Sequence, residues 1–382
     1  MGWIRRVLVL LLSLVLGSTV AGAVATPASA AYPSGTLSTW GGNGFGQLGT
    51  GNTTPRTSPG PVPSLDDVVD VHGGREHIIT LDQNGTVRTW GSNQHGQLGL
   101  GGGGNRPSPT VVPGLAGVTA VATGHYHSLA VAADGTVWSW GLNASGQLGD
   151  GTTTKRQAPV KVTGLANVVY VAAGRDMSYA IKADGTLWAW GLNGDGQLGD
   201  GTLTNRRTPV RVGSLTQVVS VAGGRDHGLA VLANGTVWSW GWNRYGQLGD
   251  GSLTDHTRPV QITTDASAVI AGAHHSYALR TNGTVLSWGR NYRNALGDGT
   301  KTQRRTPVQV IGVSGAVAIG TGRDHGIAVL SDGRAMSWGA NAKGQLGDGT
   351  TTARSRAVVV AGVTGANAAS GGAEYTVLHR SP

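Results

Sequence analysis

Residues 220–249 read SVAGGRDHGLAVLANGTVWSWGWNRYGQLG. Two apolar, strand-like runs lie on either side of Asn234-Gly235, and the second run ends at Trp240. An Asn-Gly pair between such runs is the strongest short-range signal for a β-hairpin, because both residues tolerate positive φ. The stretch therefore predicts a hairpin, and we expect two further strands near 210–212 and 218–221.

This stretch is one copy of a unit that recurs about every 50 residues. Each copy carries a Trp-Gly pair, an Asn and a Gly-Gln-Leu-Gly element, and only the sixth copy is degenerate, with Asn294-Ala295-Leu296-Gly297. A Gly also stands three residues before a His in five copies, whereas Met177 and Tyr375 replace the His in the other two. Such a period is typical of propellers and other repeat folds. The repeated Trp residues are Trp40, Trp90, Trp140, Trp190, Trp240, Trp288 and Trp338.

Four short strands per unit make one propeller blade, so we predict an all-β, seven-bladed β-propeller with about 50 residues per blade. The chain enters its first unit midway, at Ser34-Gly35-Thr36, with the strand of Trp40. The missing half of that unit, 372–379, stands at the end of the chain. We therefore expect the ring to be closed by one blade shared between the N- and C-terminal segments, which removes exposed sheet edges.

The first 30 residues do not match the repeat. A basic start at Arg5 and Arg6 is followed by an apolar run over 7–16 and by small residues at 28–30. This order is typical of a secretory signal peptide, with cleavage expected after Ala30. We predict a signal peptide over 1–30, a single propeller domain over 31–382 and a secreted protein. No other apolar segment is long enough to span a membrane.

The motifs resemble the repeat family named for the regulator of chromosome condensation, over essentially all of residues 34–380. That family carries Trp-Gly-x-Asn-x-x-Gly-Gln-Leu-Gly and Gly-x-x-His elements in seven-bladed propellers, and residues 124–131, GHYHSLAV, are similar to the second element. The resemblance implies the fold more specifically than the function.

Members of the family include a nuclear exchange factor for a small GTPase, a plant ultraviolet-B receptor and secreted bacterial propellers that inhibit β-lactamases. The expected signal peptide argues against the nuclear role. The secreted inhibitors are nearest in location and in lacking enzymatic chemistry, although their blades are shorter than these. The resemblance implies recognition of another macromolecule, as a protein inhibitor or an adhesion module.

Repeated polar residues are interpreted as parts of the blade. The His of each Gly-x-x-His element is expected to hydrogen-bond a neighbouring backbone group, with a metal site as the alternative. The Asp of each Gly-Asp-Gly element is expected to accept loop amides, and an Arg such as Arg206 to anchor the segment that crosses to the next blade; calcium or a basic docking ring is the alternative. The chain has no cysteine and no catalytic motif. We expect no cofactor, no metal and no enzymatic activity, with an extracellular hydrolase or lyase as the last alternative.

Positions that vary between units are the candidates for binding, because repeated positions maintain the scaffold. They are the two residues between the Gly and the His, and the positions that flank the repeated Asn. In the fifth and sixth units they hold Trp, Tyr and Arg, which are enriched in binding hot spots. In the ultraviolet receptor the residues after this Gly form the interaction face. The predicted partner-binding residues are Trp242, Arg244, Tyr245, Arg290, Tyr292, Arg293, Arg225, Asp226, His274, Arg323, Asp324, His125 and Tyr126.

The net charge is +9. Since a secreted protein does not meet genomic DNA, we expect no nucleic-acid partner. The expected partner is an unidentified extracellular protein, and an anionic cell-wall polymer is the alternative that the charge supports. We expect a monomer that binds through one face, with Arg206 on the opposite rim.

Overall fold

The computed structural model describes residues 32–381, so the expected signal peptide and its cleavage site after Ala30 lie outside the described residues. The described chain contains 28 strands and no helix, and thus no apolar helix of membrane-spanning length within 32–381. The strands form seven four-stranded antiparallel sheets. The predicted all-β propeller with seven blades is confirmed.

Strands are numbered in chain order, and blades are numbered in the order of their repeated Trp residues. Blade 1 contains β1 (Thr36–Gly41) and β2 (Arg56–Pro61), together with the last two strands of the chain. Blade 2 contains β3 (Val68–Gly73), β4 (His77–Asp82), β5 (Val87–Gly91) and β6 (Arg106–Val111). Blade 3 contains β7 (Val118–Thr123), β8 (His127–Ala132), β9 (Val137–Gly141) and β10 (Arg156–Lys161). Blade 4 contains β11 (Val168–Ala173), β12 (Met177–Lys182), β13 (Leu187–Gly191) and β14 (Arg206–Arg211). Blade 5 contains β15 (Val218–Gly223), β16 (His227–Leu232), β17 (Val237–Gly241) and β18 (His256–Thr263). Blade 6 contains β19 (Ala266–Ala271), β20 (His275–Arg280), β21 (Val285–Gly289) and β22 (Arg304–Gln309). Blade 7 contains β23 (Ala316–Thr321), β24 (His325–Leu330), β25 (Ala335–Gly339) and β26 (Arg354–Val359). The strands β27 (Ala366–Gly371) and β28 (Tyr375–Arg380) complete blade 1.

The Asn-Gly hairpin of blade 5 forms where the sequence predicts it, between β16 and β17. Gly235 has a φ of 79°, a left-handed value that favours glycine. Asn234 does not have a positive φ. Its side-chain oxygen instead accepts the amide of Thr236 at 3.1 Å. The Asn is therefore a hydrogen-bond acceptor in the turn, and only the Gly adopts the left-handed backbone.

Blade 1 is assembled from both ends of the chain, as the phase of the repeat predicts. β1 pairs antiparallel with β28, from Thr36 opposite Arg380 to Gly41 opposite Tyr375, without a break in register. The Tyr375 hydroxyl lies 2.6 Å from the carbonyl oxygen of His77 in blade 2. Main-chain pairing of the two terminal segments thus closes the ring in a chain without cysteine.

The repeated Trp residues form the contacts between neighbouring blades. Trp240 of blade 5 is fully buried and packs in one apolar cluster with Tyr179 of blade 4. Its indole N–H donates to the main-chain carbonyl of Gln197 at 2.9 Å. In the degenerate sixth unit the corresponding acceptor is the carbonyl of Ala295, 3.0 Å from the indole nitrogen of Trp338. Because the acceptor belongs to the main chain, the loss of the Gln side chain leaves this bond in place.

The repeated His residues also join blades. Nε2 of His227 lies 2.9 Å from the hydroxyl of Ser276 in blade 6. That hydroxyl donates to the carbonyl of Gln247 at 2.8 Å, so it accepts the hydrogen bond of the imidazole. The expected backbone partner is therefore wrong, since the acceptor is a side chain of the next blade. Among residues 32–381 no group of three His, Cys, Asp or Glu side chains could hold a metal ion.

The Gly-Asp-Gly loops are held by their own carboxylates, as predicted. In blade 4, Asp200 accepts the amide of Thr202 at 2.9 Å and the side chain of Arg206 at 2.8 Å. Arg206 is the first residue of β14 and pairs with Gly191 at the end of β13. It therefore anchors this loop and not the crossing to the next blade. It also lies at the same end of the blade as the variable loops, so its expected place on the opposite rim is wrong.

Candidate functional site

The positions that vary between units lie at one end of the blades, which we call the variable face. In each antiparallel sheet the loop from the first to the second strand and the loop from the third to the fourth strand emerge at the same end. In blade 5 the two loops touch, because the amide of Trp242 donates to the carbonyl of Asp226 at 2.9 Å. The hairpin turns, such as 234–235, lie at the other end, which we call the turn face. The structure thus brings the two predicted sets of positions together.

Side chains of blades 5 and 6 form a cluster that we call the aromatic patch: Trp242, Tyr245, His274, Arg290 and Tyr292. The ring centroid of Trp242 lies 5.5 Å from that of Tyr245 and 5.2 Å from that of His274, both in edge-to-face geometry. Such pairs contribute about 0.5–1.5 kcal/mol beyond their buried area. Trp242 and Tyr245 are only partly buried, so the patch presents a packed aromatic surface to solvent.

Arg290 joins the two tyrosines of the patch. Its guanidinium carbon lies 4.8 Å from the ring centroid of Tyr245 and 4.1 Å from that of Tyr292. The guanidinium carbon of Arg293 lies 5.2 Å from the ring centroid of Tyr292. Tyr292 nevertheless remains 48% exposed. Cation–π contacts at exposed sites contribute about 0.5–1 kcal/mol each. The contacts with Tyr245 and Tyr292 fix the orientation of the Arg290 guanidinium.

His274 is the buried member of the patch, with 7% of its surface exposed. Burial is the main cause that lowers the pKa of His274 to about 3, and the charges of Arg225 and Arg290 contribute to that shift. Its ring is therefore neutral at neutral pH, and it adds no charge to the patch.

Ion pairs surround the mouth of the central channel on this face. Asp226 is 6% exposed and lies 3.3 Å from Arg225 and 3.0 Å from Arg175 of blade 4. Burial raises the pKa of this carboxyl more than the two arginine charges lower it. The predicted pair Arg225 and Asp226 thus also links two blades.

Asp324 of blade 7 is shared in the same way. It lies 3.0 Å from Arg323 and 3.5 Å from Arg293 of blade 6. These three predicted residues therefore have ionic partners inside the protein.

His125 and Tyr126 of blade 3 lie in a second cluster. The ring centroids of Tyr126 and His95 are 4.6 Å apart, and the guanidinium of Arg75 lies 5.4 Å from the Tyr126 ring. Burial is the main cause that lowers the pKa of His125 to about 3, and the charge of Arg75 contributes to that shift. The structure thus divides the predicted aromatic residues between two clusters on one face.

One predicted residue stands apart, and several members of the face were not predicted. Arg244 is exposed, and within the described chain its side chain has no ion pair or hydrogen bond. His95 and Arg75 are not among the predicted partner-binding residues, although both stand at positions that vary between units. His95 occupies the position that Tyr245 occupies in blade 5, and Arg75 the position of Arg225.

The central channel is narrow. Its cavity of about 180 Å³ is lined by the innermost strands, mainly by Gly and Ala, with His72 and Tyr170 among the larger side chains. His72 contacts Asp70 at 3.2 Å. Pockets for drug-sized ligands usually measure about 300–1,000 Å³, so this cavity is smaller than such a pocket.

Known families match the repeats along most of the chain. The RCC1-like domain matches residues 153–378. The regulator of chromosome condensation (RCC1) repeat matches residues 34–81 and 84–131, and a second description of that repeat matches 68–97 and 118–147. No curated protein is similar enough in sequence to count as a match.

Several solved structures share the fold. Prp20p from Saccharomyces cerevisiae is 22% identical, with 92% of each chain covered and a TM-score of 0.80. Human WBSCR16 is 23% identical, with 91% of this chain and 98% of that chain covered and a TM-score of 0.81. Yeast RCC1 (Prp20) in its complex with Kap60 is 21% identical, with 96% of this chain and 94% of that chain covered and a TM-score of 0.83. The structural likeness shows the fold, and the RCC1-like domain match covers more than half of the residues. The chain belongs to the RCC1 repeat family of β-propellers.

Proposed function

We propose that the protein binds a partner protein through the aromatic patch of its variable face. One observation carries the proposal: Trp242, Tyr245, Arg290 and Tyr292 lie together on adjacent blades at positions that the scaffold leaves free to vary. In blade 3 the positions of Arg244 and Tyr245 hold only Ala and Ser. The bulky side chains are therefore not required to build a blade.

The composition of the patch supports protein recognition. Trp, Tyr and Arg are the side chains enriched in interface hot spots. Their mutual packing also lowers the entropy that a partner has to overcome, because the rings are already ordered before binding. The surface combines apolar rings with a guanidinium, as a hot spot does.

Related propellers bind proteins. The structure of Prp20p was described together with its binding to Gsp1p and histones, and yeast RCC1 (Prp20) was solved bound to Kap60. Gsp1p, histones and Kap60 are partners of the yeast protein. Their binding supports the proposal, because a propeller of this family serves there as a protein-binding scaffold.

An anionic cell-wall polymer is the weaker alternative. The arginines around the channel mouth already have carboxylate partners, such as Asp226 for Arg225 at 3.3 Å and Asp324 for Arg323 at 3.0 Å. Their charge is therefore largely neutralised within the protein. Within residues 32–381 we observe no feature that supports a hydrolase or a lyase.

The proposal also places the protein outside the cytoplasm. The basic start, the apolar run and the small residues that end at Ala30 support secretion. An inhibitor or an adhesion module would then meet its partner in the medium or on a cell surface.

The test starts from the partner, recovered by pull-down from the envelope and culture medium of the producing organism and identified by mass spectrometry. Trp242→Ala and Tyr292→Ala should each weaken binding by about 2 kcal/mol or more. Arg211→Ala is the matched control, because Arg211 is exposed and ends β14 at the turn face. It should bind like the parent protein, and melting curves should show that all variants are folded.

Normal binding by both patch variants, with binding lost in Arg211→Ala, would place the site on the turn face and refute the proposal. Salt separates the two partner classes. Affinity for a polyanion falls steeply between low and moderate salt, whereas most of the affinity of an aromatic protein contact should remain.

A further inference from the structure

Arg290 differs from the other arginines at the variable positions of the loops. Seven arginines stand at these positions, and five of them have a carboxylate within 4 Å: Arg75, Arg175, Arg225, Arg293 and Arg323. Within residues 32–381, no carboxylate lies within 4 Å of Arg290 or Arg244. Arg244 is exposed to solvent, whereas Arg290 is partly buried.

The guanidinium of Arg290 is also held in place. It lies 4.8 Å from the ring centroid of Tyr245 and 4.1 Å from that of Tyr292. Contacts with the ring faces leave the N–H donors at the edge of the guanidinium free, and none of them has an acceptor among the described residues. A planar fork of donors that is already oriented suits a carboxylate, which it can bind through two parallel hydrogen bonds.

The acidic side chains of the neighbourhood cannot fill this role. Asp226 is shared by two arginines, and Asp324 contacts both Arg323 and Arg293. The adjacent His274 ring has no charge at neutral pH. Arg290 thus leaves an uncompensated positive charge in the middle of an aromatic surface.

We propose that Arg290 is the docking point for a carboxylate of the partner, an Asp or Glu side chain that is flanked by an apolar or aromatic side chain. The carboxylate would accept from the free edge of the guanidinium, and the apolar neighbour would pack on the rings of Trp242 and Tyr245. This inference rests on the proposed function and adds the chemistry of the partner to it.

The experiment selects binders from a random twelve-residue peptide library displayed on phage. The parent protein should enrich peptides that carry Asp or Glu next to an aromatic or aliphatic residue. Arg290→Gln should lose that acidic preference. Arg244→Gln, which removes an unpaired but unstacked guanidinium, should keep it.

A selected peptide then gives the quantitative test. Replacement of its acidic residue by the corresponding amide should weaken binding to the parent protein about 30-fold, as for a hot-spot contact. The same replacement should change binding to Arg290→Gln by less than about threefold. Arg290→Lys, which keeps the charge but loses the planar fork, should lie between these two. Melting curves establish that each variant is folded.

Different failures have different meanings. If selected peptides lose binding to Trp242→Ala but show no acidic preference, the patch binds proteins and the role of Arg290 is overturned. If no selected peptide depends on Trp242, Tyr292 or Arg290, the proposed function fails as well. If no peptide depends on Arg290 while polygalacturonate binds the parent and not Arg290→Gln, the carboxylate belongs to a polymer and the inference of a protein partner is overturned.

Discussion

At the scale of the residue, Gly224 and His227 form one packed unit. A Cβ atom at Gly224 would lie 2.2 Å from Cε1 of His227 and 2.8 Å from the carbonyl oxygen of Gly272 in blade 6. The φ of Gly224 is not left-handed, so the glycine is needed for space and not for its conformational freedom. The missing side chain lets the imidazole lie against the main chain and reach Ser276.

We expect Gly224→Ala to destabilise the protein by about 1–3 kcal/mol, the usual cost of an overpacked site. Denaturant unfolding measures this change. Gly194→Ala is the control, because a Cβ there meets no atom within 4 Å and the backbone is again not left-handed. Its effect should stay within about 0.5 kcal/mol. Equal and small effects at both positions would show that the Gly-His contact does not constrain the blade.

At the scale of the element, β27 and β28 hold the ring closed. β28 lies between β27 and β1 in the sheet, and its residues Tyr375, Val377 and Leu378 are completely buried. Tyr375 and Val377 pack in the cluster that contains Trp90 of blade 2, and Leu378 packs in the cluster that contains Ile327 of blade 7. The terminal hairpin therefore belongs to the interfaces of blade 1 with both of its neighbours.

Deletion of residues 366–382 should cause aggregation or a large fall in melting temperature. Burial of one large apolar side chain contributes about 1.5–3 kcal/mol, so three of them amount to a large part of a typical total stability of about 5–15 kcal/mol. Calorimetry and light scattering test this expectation. A truncated protein that melts like the parent would contradict closure by the terminal hairpin.

A circular permutant serves as the matched control for that deletion. Thr36 and Arg380 are paired neighbours, so a short Gly/Ser linker can join 381 to 34. New ends between Pro113 and Gly114 fall in an exposed connection between blades 2 and 3. This protein keeps every strand and should melt close to the parent.

At the scale of the whole molecule, buried histidines make the ring sensitive to acid. Burial lowers the pKa of His77, His127 and His227 to about 3 and that of His275 and His325 to about 4. Their ordinary value is 6.5. Below pH 6.5 the unfolded chain therefore binds protons that the folded ring does not bind. The contribution of these histidines to the free energy of unfolding is fully present above pH 6.5. It is lost as the pH falls toward their pKa values in the folded protein, by up to about 1.4 kcal/mol per pH unit for each histidine.

The melting temperature should consequently be higher at pH 7 than at pH 5, as thermal unfolding in buffers of equal ionic strength will show. His127→Met is the informative variant, because blade 4 already carries Met177 at this position with its side chain fully buried. It should lose less stability than the parent between pH 7 and pH 5, although it also loses the contact with Ser178. Identical melting temperatures at the two pH values would contradict the role of the histidines.

The local architecture was predictable from the sequence because its causes act over short distances. The turn at Asn234-Gly235 needs only its two flanking runs, and the positions of Thr36 and Gly372 within the repeat imply closure of the ring. The variable positions also follow from comparison of the units with one another. Their location on one face is a consequence of the order of strands in an antiparallel sheet.

The sequence by itself therefore determined the number of blades, the shared blade and the positions available for binding. Only the tertiary structure decided which side chains meet across blades. It placed Arg290 between Tyr245 and Tyr292, gave Arg293 a partner in Asp324 and put Arg206 at the variable face. Such contacts join residues of different loops, and their distances depend on how neighbouring sheets pack and in which direction each side chain extends, neither of which a local pattern specifies.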